Sequence, residues 1–482
     1  MPSTIPIIND EPTLQIDGPV FRPGDAEYEA ETQSHNAAVQ HRPEYAVGVT
    51  SSADIAASVQ FARKQGFTVA VQCTGHGAVL PITSGILIST RRMRKVVIDP
   101  DAQTATLEAG AKMGEIAAPA AEYGLVPVPG STGDVGATGY LLGGGIGPLS
   151  RSHGISSDYV VGFTVITGAG EIVEADAENN AQLFWALRGG KMGLGIVSQL
   201  TLRLVPLKTL YGGRLMFEEK HIDQIMRTWL KWTATAHPQV TTSIAVIRPP
   251  PSPESNGALP PKVLALRFAY AGERPEELGP QLAEPLRAAA PVMADLLGVM
   301  SGADIPKIHD DPVAHSVPTW IGSLLLKEIG QRPSKPPTNS PICDDDDSDF
   351  ATAIDDFFGA KAAAPFVIAE IRHMGSRAAT EHIKHIDGTI PDNASAVGGR
   401  GAAFLLDFMS FLPDHFAEVM PAAMDTVVEK LGPWMLAESN INFMGKPRSR
   451  ENTANIWRPD VAAKLNKIRR MYDPDSVFSS WV

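Results

Sequence analysis

The chain has 482 residues, 44% of them hydrophobic and 20% charged, enough for two domains and ordinary for a soluble globular enzyme, which excludes long disorder or a fibrous class. Its formal net charge of −13 gives no basic footprint for nucleic acid or an anionic membrane. Cys73 and Cys343 are the only cysteines, too few for a disulfide framework and without zinc-ligand spacing.

Met1 to Pro12 lack a signal-peptide pattern, and no run approaches the ~18 apolar residues of a membrane helix, so a soluble cytoplasmic protein is expected. Residues 1–42 read as an N-terminal extension with a strand and turn at 20–24. Elements then alternate: a strand at 47–50, an amphipathic helix at 52–65 capped by Ser52 or Asp54 and ended by Gly66, and a strand at 68–72. That strand runs into Cys73-Thr-Gly-His-Gly77, a turn that presents His76 between two glycines, where backbone can approach a ligand closely. Short β segments follow at 85–90, 95–99 and 105–109, then a helix at 113–123 closed by Gly124.

Residues 130–147 contain eight glycines, with Gly130, Gly133, Gly136 and Gly139 spaced by three. That period fits neither a helix face nor a strand face and reads as backbone wrapped against something flat and polar. A hairpin is expected from 160–166 and 171–174 around Gly168-Ala-Gly170, a helix from Phe184 to Arg188-Gly-Gly190, and a strand at 196–205. Beyond Pro206, helices are expected at 222–236, 275–290 and 415–431, strands at 263–270, 366–374 and 403–409, and loops at 249–253 and 331–349. The acidic run Asp344 to Asp347 lacks calcium-loop spacing and reads as solvated loop, so no metal site is expected.

Main-chain N–H groups in glycine-rich turns satisfy a diphosphate without charged side chains, and three such turns occur, at 74–77, 130–147 and 189–195. No G-x-G-x-x-G follows a strand and no G-x-x-x-x-G-K-[ST] is present, so neither usual nucleotide loop applies. Three carboxylate or cationic candidates remain. Glu370 and Arg372 share one strand face, with an ordinary ion pair as the competing reading, and Asp407 interrupts the apolar run 404–408 as a buried functional group or a strand-end residue.

Gln72 to Gly77, the run Gly130 to Gly147, Leu183-Phe-Trp-Ala-Leu-Arg-Gly-Gly190 with Gly195-Ile-Val-Ser198, and the closing Trp457-Arg-Pro to Phe478 resemble the flavin-linked oxidases of the berberine bridge enzyme type. The likeness is strong over 43–207 and 437–478 and loose over 208–436. It implies an α+β protein: a two-lobed PCMH-type FAD-binding domain at 43–207, a substrate domain at 208–436 with a large antiparallel sheet covered by helices, and a C-terminal segment at 437–482 that returns to the FAD domain. It implies FAD joined to His76, a linkage available to a neutral imidazole nucleophile. Thr132 stands where some relatives have a second, cysteinyl link, and a threonine hydroxyl does not replace a thiolate, so one covalent bond is expected. Cys73 reads as a small packed residue.

The same resemblance puts Gln72, Cys73, Thr74, Gly75, Gly77, Gly130, Ser131, Thr132, Val135, Gly136, Gly139, Gly143, Asp158, Gly195, Ile196, Val197 and Asn442 around the cofactor. Val135 matches a position that leaves oxygen room, and Arg188 is expected to anchor its turn. Glu370 and Arg372 match a substrate-contacting strand. Relatives often read Tyr-x-Asn, with the tyrosine as base, where this chain has Asn440-Ile-Asn442; an amide takes no proton at neutral pH, which leaves Glu370, Tyr140 or no side chain as the base. The chain also ends at Val482 without the usual terminal Asn or Gln. The expected activity is hydride transfer from a small alcohol, amine or natural-product intermediate to FAD, with O2 as acceptor. A dehydrogenase with another acceptor, a flavin-binding protein without catalysis and a nicotinamide-dependent reductase are the rivals. Nothing in the sequence sets an oligomeric state.

Overall fold

The structure, a computed structural model, describes residues 14–249, 260–310, 316–327, 346–379, 395–446 and 455–478. Of the expected loops at 249–253 and 331–349, residues 250–253 and 331–345 lie outside these residues, as do Cys343 and both chain ends. The α+β organisation is as expected: two small sheets form one half of the chain and a large antiparallel sheet the other.

In the first lobe, Tyr45–Gly48, Ile86–Ser89 and Val69–Gln72 run parallel with Ile86–Ser89 in the middle. Parallel strands need cover on both faces, and Ile86–Ser89 is buried throughout. Helix Ser52–Gln65 supplies cover with Ile55, Val59 and Ala62, which recur at helical spacing and are fully buried. Its cap is Ser51, whose hydroxyl accepts from the Asp54 N–H at 3.1 Å, rather than Ser52 or Asp54. The Asp54 carboxylate turns back instead and accepts from the N–H groups of Asp17 and Gly18. Residues 14–42 are therefore part of this lobe: Val20–Phe21 extends its sheet, Tyr28 is buried, and Glu31 pairs with Arg92 at 2.7 Å.

The second lobe is an antiparallel sheet in the order Val96–Asp99, Thr104–Glu108, Ile196–Arg203, Val160–Ile166, Ile172–Asp176. The hairpin around Gly168 is present. The central strand begins at the seam between the lobes, with Ile196 in the first lobe's core and Val197 in the second's.

Eight strands make the third sheet, in which Thr209–Glu218, Val263–Tyr270, Val240–Ile247, Ile368–His373, Phe404–Ser410 and Trp320–Leu326 lie side by side. Helices Ile222–Thr233, Pro275–Arg287, Asp346–Phe358 and Val419–Leu431 bury Leu264, Leu266 and Phe268, Ala369 and Ile371, and Phe404, Leu406 and Phe408 on one face. Side chains alternate across a strand, so Ser243, Arg267, Glu370, Arg372 and Asp407 share the opposite face. Three of these strands, Thr209–Glu218, Val240–Ile247 and Trp320–Leu326, were not expected from the sequence. The end of the expected 331–349 loop is helical: Asp346–Phe358 starts inside the acidic run, where carboxylates favour a helix N-terminus.

Helix Pro459–Tyr472 packs Leu465 and Ile468 into the second lobe. The Asp473 carboxylate then accepts from the N–H groups of Val477 and Phe478, and the Val477 carbonyl accepts from Val69 N–H at 2.7 Å. Phe478 thereby joins the strand that leads into the His76 turn. Among the described residues no helix is long and apolar enough to cross a membrane.

Candidate active site

Strand Val69–Gln72 delivers the His76 turn, and its neighbours fix the turn's shape. Gly75 has φ +76°, and a Cβ there would stand 2.6 Å from Ser34 Oγ and 2.8 Å from Gln72 Oε1, so glycine is required by both backbone and space. Gln72 is a support: it meets His41 Nε2 at 3.1 Å and donates to the Gln33 carbonyl at 3.0 Å. Cys73 points its thiol at the Gly110 carbonyl, 3.4 Å away, and packs against Gly136, in keeping with a packed residue. Thr74 Oγ1 lies 2.8 Å from His76 Nδ1 and 3.4 Å from the Gly136 nitrogen, joining the first two glycine turns.

The His35 ring stacks on His76 with centroids 3.5 Å apart. Burial and then the neighbouring His35 push the His76 pKa down to about 3. The imidazole is neutral at physiological pH and keeps a nucleophilic lone pair.

The glycines of 130–147 serve different ends. A Cβ on Gly130 would meet the Tyr140 ring at 3.0 Å, one on Gly136 would meet Cys73 Sγ at 2.8 Å, and one on Gly143 would collide with the Asn442 amide. These three let protein pack on protein. At Gly139, exposed in helix Ala137–Leu142, a Cβ would meet nothing within 4 Å, and at Gly77 it would approach Lys191 Nζ at 3.4 Å. Thr132 Oγ1 accepts from Asp134 N–H at 3.4 Å, and the half-buried Val135 gives its carbonyl to Met113 N–H.

Other predicted cofactor residues have structural duties. Asp158 forms an ion pair with Arg400, including a 2.9 Å contact, that joins the second lobe to the region of the large sheet. Gly195, at φ +131°, sits against Val165, and Ile196 and Val197 bury their side chains in the two cores. Tyr140 hydrogen-bonds Ser156 Oγ at 2.9 Å, and burial raises its pKa; it holds its proton and does not suit a base. Asn442 donates to the Tyr140 carbonyl and accepts from Lys191 Nζ, each at 2.8 Å, while Asn440 is buried and accepts from Asn442 N–H.

Glu370, Arg372 and Asp407 do come together on the polar face of the large sheet, with Glu370 directly across from Asp407. Glu370 accepts from Arg267 at 2.7 Å and from Arg372 at 2.9 Å, and His309 Nε2 lies 3.5 Å away. Burial alone would raise its pKa; Arg267 and Arg372 outweigh that and hold it well below the usual carboxylate range. Arg372 also donates to Asp407 Oδ2 at 3.1 Å and to Ser131 Oγ at 2.8 Å. Asp407 is fully buried, its Oδ1 has no partner among the described residues, and burial pushes its pKa up to about 7 against the pull of Arg372. The sequence reading missed Arg267, His309, His35 and Lys191. Arg267 interrupts an apolar strand as Asp407 does, so the same signal marks it; the others carried none. Among the described residues no cluster suits a metal ion.

The cradle fits a flavin nucleotide. Gly77 and Gly139 leave room for a close approach, the turns offer main-chain donors, and a neutral histidine stands beside them. Residues 43–176 match the family model described as FAD binding domain, and the two-lobed base with its sheet is the PCMH-type flavoprotein fold. The structure of 6-hydroxy-D-nicotine oxidase from Arthrobacter nicotinovorans superposes with a TM-score of 0.78 at 19% identity over 97% of this chain and 98% of that one. Glucooligosaccharide oxidase from Acremonium strictum, described with a 6-S-cysteinyl, 8α-N1-histidyl FAD, gives a TM-score of 0.75 at 19% identity over 96% of each chain. In sequence, (R)-6-hydroxynicotine oxidase of Paenarthrobacter nicotinovorans is 31% identical over 203 residues, 41% of this chain and 44% of that protein. The chain spans about half the length of the curated relatives it matches, and these are FAD-linked oxidoreductases and oxidases. The cofactor domain is thus an FAD binding domain by its sequence, and the resemblance to berberine bridge enzyme-like proteins holds for the fold, with a TM-score of 0.75 at 18% identity to a Physcomitrella patens protein of that type.

Proposed function

We propose that this protein is an FAD-dependent oxidase that takes hydride from a small organic substrate, an alcohol, amine or natural-product intermediate, with FAD tethered once, through His76. Bound FAD would supply the two-electron acceptor and pass the electrons to O2, giving H2O2. The observation that carries the reading is the Arg372–Ser131 hydrogen bond, which holds the charged sheet face on the glycine cradle. In this reading His76 is the tether, kept neutral by burial and His35. Thr132 offers no thiolate for a second bond. Glu370 stays ionised and fixes Arg267 and Arg372, while Asp407 accepts the proton of the substrate O–H or N–H as its C–H hydride leaves. Val135 lines the oxygen approach. A cytoplasmic setting and a place in secondary metabolism belong to the same reading.

Two measurements test it. Acid precipitation of purified protein should carry the yellow colour into the pellet, and His76→Ala should release it; flavin freed from the unaltered protein would contradict the tether. A panel of alcohols, sugars and amines should include one that bleaches the flavin anaerobically, with rapid recovery in air. Slow recovery in air would point to another electron acceptor.

A further inference from the structure

Lys191 is a cation in an unusual setting. It belongs to Arg188-Gly-Gly-Lys-Met192, the third glycine turn, and its own φ is +56°, a left-handed conformation that strains a side-chain-bearing residue. The turn is held from several directions. Gly189 and Lys191 both donate their N–H groups to the Leu142 carbonyl at the end of the Gly139 helix. Trp457 Nε1 donates to the Gly189 carbonyl, and Arg469 donates to the carbonyls of Gly190 and Met192. The position of Lys191 is thus imposed, and a glycine would satisfy its backbone without strain.

The side chain runs into the cradle. Nζ donates to Asn442 Oδ1 at 2.8 Å and stands 3.4 Å from where a Cβ on Gly77 would be, one residue past His76. Asn442, through its bond to the Tyr140 carbonyl, fixes that position against the Gly139 helix. Asn442 is a neutral partner, and among the described residues no carboxylate pairs with Lys191. Burial alone pushes its pKa down to about 8, so the amine is still mostly charged at neutral pH. A half-buried ammonium whose protein partner is an amide rather than a carboxylate is suited to an anion that arrives with a ligand.

We propose that Lys191 is the cofactor-facing cation of this site, pairing with negative charge on FAD, either the diphosphate or the charge its ring gains on accepting hydride. The inference rests on the FAD reading above. It is tested with the flavin-loaded protein as purified, comparing Lys191→Gly, which suits the local φ and keeps the fold, with Lys191→Arg, which keeps the charge. The readouts are flavin incorporation from the 450 to 280 nm absorbance ratio of the purified protein, the two-electron midpoint potential, and sulfite affinity. Pairing with the ring predicts unchanged flavin content in Lys191→Gly, a lower potential and sulfite binding weaker by about tenfold or more, the scale of one charge lost from a partly buried site. Pairing with the diphosphate predicts the reverse: potential and sulfite binding hold, while less flavin is incorporated into the protein. Lys191→Arg should restore most of either effect. A folded Lys191→Gly protein matching the parent in all three readouts overturns the proposal. Parent protein that purifies without flavin would overturn the FAD reading as well.

Discussion

Asp407 and Glu370 face each other across adjacent strands, yet their surroundings drive their carboxyls in opposite directions. Glu370 has two guanidinium partners and stays ionised; Asp407 has one, through Oδ2, and among the described residues its Oδ1 has no partner in a fully buried position. Two carboxyls with divergent pKa values at one site are the usual basis for dividing roles between them. With a pKa of about 7, Asp407 is protonated in mild acid and cannot accept a proton there. If it is the base, kcat/KM rises with pH through about 7 and then levels. Asp407→Asn should lower kcat by about 10²- to 10⁴-fold and remove that limb from the pH profile. Survival of the limb in the variant would assign the base elsewhere. Glu370→Gln has another expected phenotype, loss of stability by about 3–5 kcal/mol, because it leaves two buried guanidinium groups short of a partner; the denaturation midpoint reads this directly.

At the scale of elements, the glycine stretch separates packing from binding. Gly139→Ala should fold as well as the parent, since the new methyl meets no protein atom within 4 Å and alanine is the better helix former by about 1 kcal/mol. If the cofactor lies on that helix, the variant should purify with less flavin at unchanged or higher thermal stability of the apoprotein. Gly75→Ala should lose both, because its φ of +76° and its contacts with Ser34 and Gln72 exclude a side chain. Full flavin content in Gly139→Ala would place the ring elsewhere. This division was only half legible in the sequence. The period of three showed that 130–139 was neither helix face nor strand face, although residues 137–142 do close a short helix. Which glycines touch protein depends on Tyr140, Cys73 and Asn442 arriving from other parts of the chain. The same limit explains the missed elements. Thr209–Glu218 contains Gly212 and Gly213, which interrupt any strand pattern in the sequence but lie in the sheet where a Cβ would crowd its neighbours. Helix Ser52–Gln65 and strand Val263–Tyr270, by contrast, were legible from local spacing and punctuation. His76 was legible because a glycine pair framed it; Arg267, His309 and Lys191 reach the site from separate segments, with no local pattern to announce them.

Across the whole molecule, the sheet is fastened to the cofactor half by buried polar groups, and this makes stability sensitive to acid. Arg372 bonds Ser131, Asp158 pairs with Arg400, and Arg151 reaches His373 Nε2 at 3.0 Å and the carbonyls of Val240 and Met374. Around these seams the pKa values of His41, His153, His309 and His373 are all lowered, with burial the largest cause at each. None of the four is the proposed flavin link, although His41 braces Gln72 at the base of its turn. In the unfolded chain each histidine takes up a proton as pH falls below about 6.5, whereas in the folded protein burial delays that uptake to lower pH. The unfolded state then binds more protons, so stability rises with pH over this window and is lost as pH falls. Asp407 acts in the other direction, because near pH 6 the folded state holds a proton that the unfolded state has released. Burial also raises the carboxyls of Asp355 and Asp473 and lowers His35, so three opposing carboxyls stand against five histidines and the sign is unchanged. The depressed carboxyls, Glu31, Asp54 and Glu370, lose their contribution only at lower pH, so from pH 7 to 5 the lowered histidines set the direction. The urea midpoint of the flavin-loaded protein should fall steadily across that range, each fully buried histidine contributing up to about 1.4 kcal/mol per pH unit. His373→Gln should make the decline shallower, because it removes one of these proton acceptors while retaining an amide that can meet Arg151. A midpoint that is flat or rises toward pH 5 would mean that these histidines are already protonated in the folded protein, and the seams between sheet and cradle would then have to be held by cations facing cations.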